Sequence, residues 1–258
     1  MEKTRKSVDI WSIFIYLILY SIAGFFIETI FGAVTKGVIE SRKSFLYGPF
    51  CAIYGIGAIS MILFLKNEKS NLKLFFGGAI IGAIVEYGMS LFCEIFFGVK
   101  WWDYSHMFLN IHGRTCLFYA VSWGVLAITL IKYVNPQVDK FIDFLKQKRM
   151  LFKTTTVLLI GFFSVNAVLT SYALKVFYYR ISTENNLNIT DKNSVQEKYA
   201  QIENSNNFEG IINKYYDNEK MLKTYPNLMI EEENNNTVYV ESLLDEIEPY
   251  YYRLGEAF

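Results

Sequence analysis

Two glutamates, Glu86 and Glu94, interrupt a stretch that otherwise suits hydrocarbon: EYGMSLFCEIFFGVKWWDYSHMFLNIHGRTC, from Glu86 to Cys116. A charge in hydrocarbon is costly unless paired or hydrated, so such carboxylates mark a site. Either glutamate has the chemistry of a base or of a partner for a cation, and Arg42 and Arg114 suit the bidentate gripping of a phosphate. Trp101, Trp102 and Tyr104 favour a membrane–water boundary. An interfacial belt accounts for these rings but not for Asp103 among them, nor for Asn110, Gly113 and Arg114 beyond them. His106 and His112 offer nitrogen ligands near Asp103 and Glu94, but the spacing matches no standard zinc pattern, and no metal or cofactor is implied.

The elements that must position these groups are membrane helices. Of 258 residues, 52% are apolar, gathered in blocks of about 20 or more rather than at the period of a surface helix. The reading is an all-α, polytopic membrane bundle of about five spans, near 10–34, 45–65, 72–98, 115–134 and 154–178, followed by a polar, partly helical tail. The first block follows Lys3, Arg5 and Lys6 but is too long for a signal core, and it reads as a retained span. Cys51, Cys93 and Cys116, odd in number and set in apolar segments, read as free thiols. By domain, 1–136 is a four-helix membrane core, 137–180 an amphipathic helix plus a fifth span, and 181–258 an acidic tail rich in Asn and Tyr.

The zero net charge conceals a division. Residues 1–180 hold 19 Lys and Arg against 10 acids, and residues 181–258 hold 6 against 15. The N-terminal arm, the Lys66–Lys73 turn and the Lys132–Lys153 loop carry 12 basic residues; the opposite side carries 7. The positive-inside bias puts the N-terminus in the cytoplasm, and residues 99–114 and the tail outside. Glu28, Arg42, Glu94, Asp103 and Arg114 then fall at one membrane level near the outer face, where opposite charges should pair. Glu86 lies deeper.

Small residues support close packing there. Gly78, Gly82, Glu86, Ser90 and Glu94 recur at intervals of four, as do Gly24, Glu28 and Gly32, so each glutamate shares a stripe with glycines that let backbones approach. The stripes serve the bundle; Glu28 and Glu86 are either functional or members of a buried ion pair. Tyr47-Gly48-Pro49 opens the second span, with Pro49 in a first turn, Gly55 and Gly57 inside and Tyr54 offering a hydroxyl. That span is either an irregular, closely packed helix or a discontinuous one lining a cavity. Asn135-Pro136 starts a short amphipathic cytoplasmic helix, which lies on anionic lipid heads or docks a partner such as an ATPase. In the tail, 195–204 and 238–254 have helical character, Tyr225-Pro226-Asn227 reads as a turn, and the whole is expected to be peripheral to the site.

The order of features resembles the bacterial CmpB-like membrane proteins, the ABC-transporter type IV permease family. The carriers are Gly24-x-x-x-Glu28, Arg42 with Phe45-Leu46-x-Gly48-Pro49, Tyr54-Gly55-x-Gly57-Ala58, Glu86-Tyr87, Glu94, Trp101-Trp102-Asp103-Tyr104-Ser105, Asn110-x-x-Gly113-Arg114-x-Cys116-Leu117 and Trp123-Gly124. They cover about residues 12–136, with the fifth span and tail outside. Ala52 stands where the family pattern has proline. The resemblance implies a transport permease. The chain has no Gly-x-x-x-x-Gly-Lys-Ser/Thr loop, so an ATP-driven system needs a separate ATP-binding subunit, docking on residues 136–149. A homodimer is expected because five spans enclose little volume, and nothing points to nucleic acid. The expected polar site comprises Glu28, Arg42, Tyr54, Glu86, Ser90, Glu94, Trp101, Trp102, Asp103, Tyr104, Asn110 and Arg114. The alternatives are a membrane enzyme acting on a lipid or envelope precursor, for which no catalytic signature stands out, and a non-catalytic membrane partner whose ion pairs fix helix register.

Overall fold

The computed structural model describes residues 9–234, 236–244 and 246–247, and the backbone of 251–253. Helix α1 (Ile10–Lys36) starts where the Asp9 carboxylate accepts from the Ser12 amide at 3.1 Å, and it stops at Gly37, whose φ of 69° ends the helix in a left-handed turn. A short strand, β1 (Val38–Glu40), follows. Helix α2 (Ala52–Leu65) has only 14 residues. Helix α3 (Asn71–Phe97) is capped by Ser70 and ends at Gly98, φ 74°. Helix α4 (Leu117–Thr129) runs through a π turn, Leu130–Val134, into α5 (Asn135–Lys146). Helix α6 (Arg149–Glu184) is 36 residues, about 54 Å at 1.5 Å per residue. The tail folds as α7 (Lys192–Glu203), α8 (Phe208–Tyr215), α9 (Asn218–Thr224), a hairpin of β2 (Met229–Glu231) with β3 (Thr237–Tyr239), and β4 (Tyr251–Arg253), antiparallel to β1.

Among the described residues, four helices are long and apolar enough to cross a membrane: α1, α3, the continuous Leu117–Lys146 and α6. The expected second span is corrected in one respect. Its helix begins only at Ala52, so Pro49 lies ahead of it rather than in its first turn. At about 21 Å, α2 is shorter than a hydrocarbon core ~30 Å thick. The irregular segment before it is held by α6 instead. Thr170 Oγ1 accepts from the Leu46 amide at 3.1 Å, and Asn166 both accepts from the Tyr47 amide at 3.2 Å and donates to its carbonyl at 2.7 Å. Asn166 and Thr170 are buried, and non-helical backbone is tolerated at such depth where protein supplies its partners.

Nor is α5 a separate helix. Pro136 has no N–H to give the preceding turn, and the π turn absorbs that gap without breaking the rod. Only part of its apolar face is free for lipid. Ile142 is buried with Ile15, Ile62, Leu74 and Phe152, and Val138 and Leu145 pack beside them. Tyr20 donates to Asn135 at 2.9 Å, Tyr16 donates to Asp139, and Lys66 pairs with Asp139 at 3.2 Å. Phe141 and Phe144 remain exposed.

The tightest helix seam is α3 against α4. A Cβ on Gly78 would overlap Ala127, and one on Gly82 would overlap the Trp123 indole. The interval-of-four stripe therefore meets protein, while Ile80, Ile84 and Ile95 on the other side are exposed, as lipid-facing residues are. All three cysteines are free and buried. The largest apolar cluster among the described residues joins α6 to the tail, with Leu174, Phe177 and Ile181 packed on Tyr199, Ile212 and Leu228. The helix expected at 195–204 is α7 and the turn at Pro226 is present. In the described part of the stretch from 238 the helical character is confined to a 3-10 turn, Val240–Leu243, between β3 and β4. Alternating Val238 and Val240 beside Tyr239 suit a pleated edge better than a helix.

Candidate functional site

The polar side chains gather at the end of the bundle where α3 stops, α4 starts and the tail sits. On α3, Glu86 is only 4% exposed. Thr115, also buried, donates to its carboxylate at 2.7 Å, and the Tyr104 hydroxyl reaches the other oxygen at 3.4 Å. Tyr104 is held by stacking on Tyr119, ring centres 4.4 Å apart, and by Trp102 on its other side. Two turns along, Arg114 donates to Glu94 at 2.6 Å and to Ser90 at 3.3 Å. The same Glu94 oxygen lies 3.2 Å from Lys100 Nζ, and Lys100 also pairs with Glu231 of the tail. Lys100 is 7% exposed and bridges backbone to backbone with Met229. A continuous chain of charge thus runs Arg114–Glu94–Lys100–Glu231. Burial opposes the Arg114 charge, but the Glu94 carboxylate outweighs it and holds the guanidinium pKa above its usual value.

The expected pairing at one level is met in part. Glu94 and Arg114 do join, and Arg114 donates to Ser90 as well. Glu28 instead accepts from Tyr54 at 2.7 Å, and lies within electrostatic reach of Glu86. Arg42 is drawn to Glu40 and packs on Gly32, so Glu28 is not its ion-pair partner. The guanidinium and its carboxylate are two residues apart, and so local a pairing outcompetes a cross-helix one. Trp101 turns away into the tail, edge-on to Tyr225 at 5.9 Å. Trp102 donates to the Arg114 carbonyl at 2.9 Å. Asn110 shapes the loop, donating to the carbonyls of Ser105 and Met107 and accepting from Gly113. His106 is exposed, His112 shares a hydrogen bond with Tyr87, and no metal-holding cluster occurs among the described residues.

Thr115, Lys100, Glu231 and Thr237 escaped the sequence reading. Thr115 follows Arg114 directly, and a hydroxyl beside a charged residue at a helix start was a usable signal. Glu231 and Thr237 carried none, being over 130 positions from their partners. They also correct the expectation of a peripheral tail, because Thr237 donates to Asp103 at 3.0 Å. Burial pushes the Asp103 carboxyl up, but the Ser105 amide, Thr237 and the Lys100 charge hold it below its usual 3.8. A carboxyl depressed in the folded state stabilises it above the unfolded pKa and loses that contribution as pH falls through the folded value. The Asp103 contribution to the loop–tail contact should therefore be unaffected between pH 5 and 8 and be lost only below about pH 4. Hydrogen exchange at the β2–β3 hairpin, compared in the wild type and Asp103→Asn, measures this; the variant should lose the Asp103 share of the acid weakening and keep the share of the Lys100–Glu231 pair.

Long apolar helices enclosing a few paired charges define a multi-pass membrane protein. A family model described as "Putative ABC-transporter type IV" matches residues 15–171, more than half of the chain, and the chain belongs to that family. The match extends beyond the stretch carrying the sequence resemblance and takes in most of α6. No curated protein and no solved structure matches the chain.

Proposed function

We propose that this protein is the permease-like membrane subunit of an ABC-type transporter, with its polar site facing the outside. The observation that carries the reading is the charge chain Arg114–Glu94–Lys100–Glu231, which ties the end of α3 to the loop and tail beyond it, beside the buried Glu86–Thr115–Tyr104 group. A bundle that only needed to span would not retain both Glu86 and Glu94 inside α3. The basic end, where α5 turns into α6, faces the cytoplasm by the positive-inside bias. ATP would bind a separate subunit, docked on residues 136–149, where Phe141 and Phe144 stand exposed beside Lys140 and Lys148. Two copies would enclose the solute path, since one bundle has few spans.

The test is purification of the tagged chain from its own membranes in a mild detergent. An ATP-hydrolysing subunit should come with it and be lost from a Phe141→Asp, Phe144→Asp double variant. A chain that purifies alone under crosslinking overturns the ATPase-coupled reading. The non-catalytic reading draws support from one observation: Arg114 and Lys100 are already matched by carboxylates. The lipid-enzyme reading is weakened by the same pairing, because Arg42 and Arg114 are each occupied and do not stand free to clamp a phosphate.

A further inference from the structure

Where α6 leaves the bundle and enters the tail, a groove of about 620 Å3 opens between α3, α6 and α7. That volume falls within the ~300–1,000 Å3 of small-molecule sites. One wall is the end of α3, where Phe92 and Phe96 are exposed and continue its lipid-facing side. The other wall carries Lys175 on α6 and Lys198 on α7, with Gln201 and Asn207 beside them. Lys198 is steered by the Tyr179 ring, 5.8 Å from its centre. Neither lysine forms an ion pair among the described residues. Glu209 lines the α8 edge, so two cations face one carboxylate.

We infer that this groove holds the headgroup of an anionic phospholipid, its phosphate between Lys175 and Lys198 and its chains along Phe92 and Phe96. The apolar wall is continuous with the surface that meets hydrocarbon, and the two ammoniums stand where α6 passes from membrane to tail. The single surplus positive charge matches the single negative charge of a phosphodiester. Glu209, Gln201 and Asn207 suit the hydroxyls of a glycerol headgroup. A lipid seated there ties the tail to the bilayer on the side away from Arg114, and the inference does not depend on the transporter reading.

The experiment is native mass spectrometry of the full chain released from nanodiscs of equal parts phosphatidylglycerol and phosphatidylcholine. The wild type should retain phosphatidylglycerol preferentially. In a K175Q/K198Q variant the preference should fall about thirtyfold, equivalent to about 1 kcal/mol per lysine. Equal retention of the two lipids by the wild type, or an unchanged preference in the folded variant, overturns the assignment. Inorganic phosphate alone should not raise the melting temperature of delipidated protein. Protection by phosphate equal to that by phosphatidylglycerol would show a free-anion site and also overturn it.

Discussion

Replacing Glu94 with glutamine is expected to destabilise the protein by about 2–3 kcal/mol, more than replacing Arg114 with glutamine, at about 1–2 kcal/mol. The order follows from the geometry. One Glu94 oxygen serves two cations, Arg114 at 2.6 Å and Lys100 at 3.2 Å. Losing Glu94 strands a guanidinium whose side chain is 11% exposed and leaves Lys100 with Glu231 alone. Losing Arg114 leaves Glu94 still paired with Lys100. The magnitudes sit below those for a fully buried pair because the Glu94 side chain is 30% exposed and water screens it. Unfolding titrations in mixed micelles check this. The two substitutions together should cost about 1 kcal/mol less than the sum of each alone, since they share a partner. Additive effects, or a larger cost at Arg114, would contradict the shared-oxygen geometry.

The second large effect concerns Glu86. Truncation to alanine should cost about 2–4 kcal/mol, because it opens a cavity and leaves the buried Thr115 hydroxyl without its acceptor. Glutamine preserves shape and one acceptor oxygen, so Glu86→Gln should fold with a loss of at most about 1 kcal/mol. The two variants separate structure from function. If Glu86 takes part in transport, Glu86→Gln abolishes solute uptake while the protein melts near the wild-type temperature. If the carboxylate only organises the helices, Glu86→Gln transports normally and Glu86→Ala alone fails. Uptake into reconstituted vesicles, measured with thermal unfolding of the same preparations, decides between these outcomes.

Much of the bundle was legible because membrane helices carry their signal locally. Apolar blocks marked the long helices, and the interval of four in α3 correctly put Gly78, Gly82, Ser90 and Glu94 against protein. What failed were inferences that needed a partner's identity rather than its depth. Arg42 and Glu28 were placed at one level, yet Glu40, two residues away, captured the arginine. Pro136 looked like a boundary between helices, but a π turn can take up a missing N–H without a break, and composition does not distinguish the two cases. The tail was hardest. Its polar composition suggested a loose appendage, because the apolar surface that organises it lies on α6, in residues that also read as membrane span.

That shared helix has a mechanical consequence. α6 reaches unbroken from the α5–α6 hairpin to the tail, so it acts as a lever with both arms loaded. A tilt of only about 10° over its length swings one tip by about 9 Å relative to the other. Pushing on the hairpin would be felt at the tail, which Glu231 and Thr237 tie to Lys100 and Asp103.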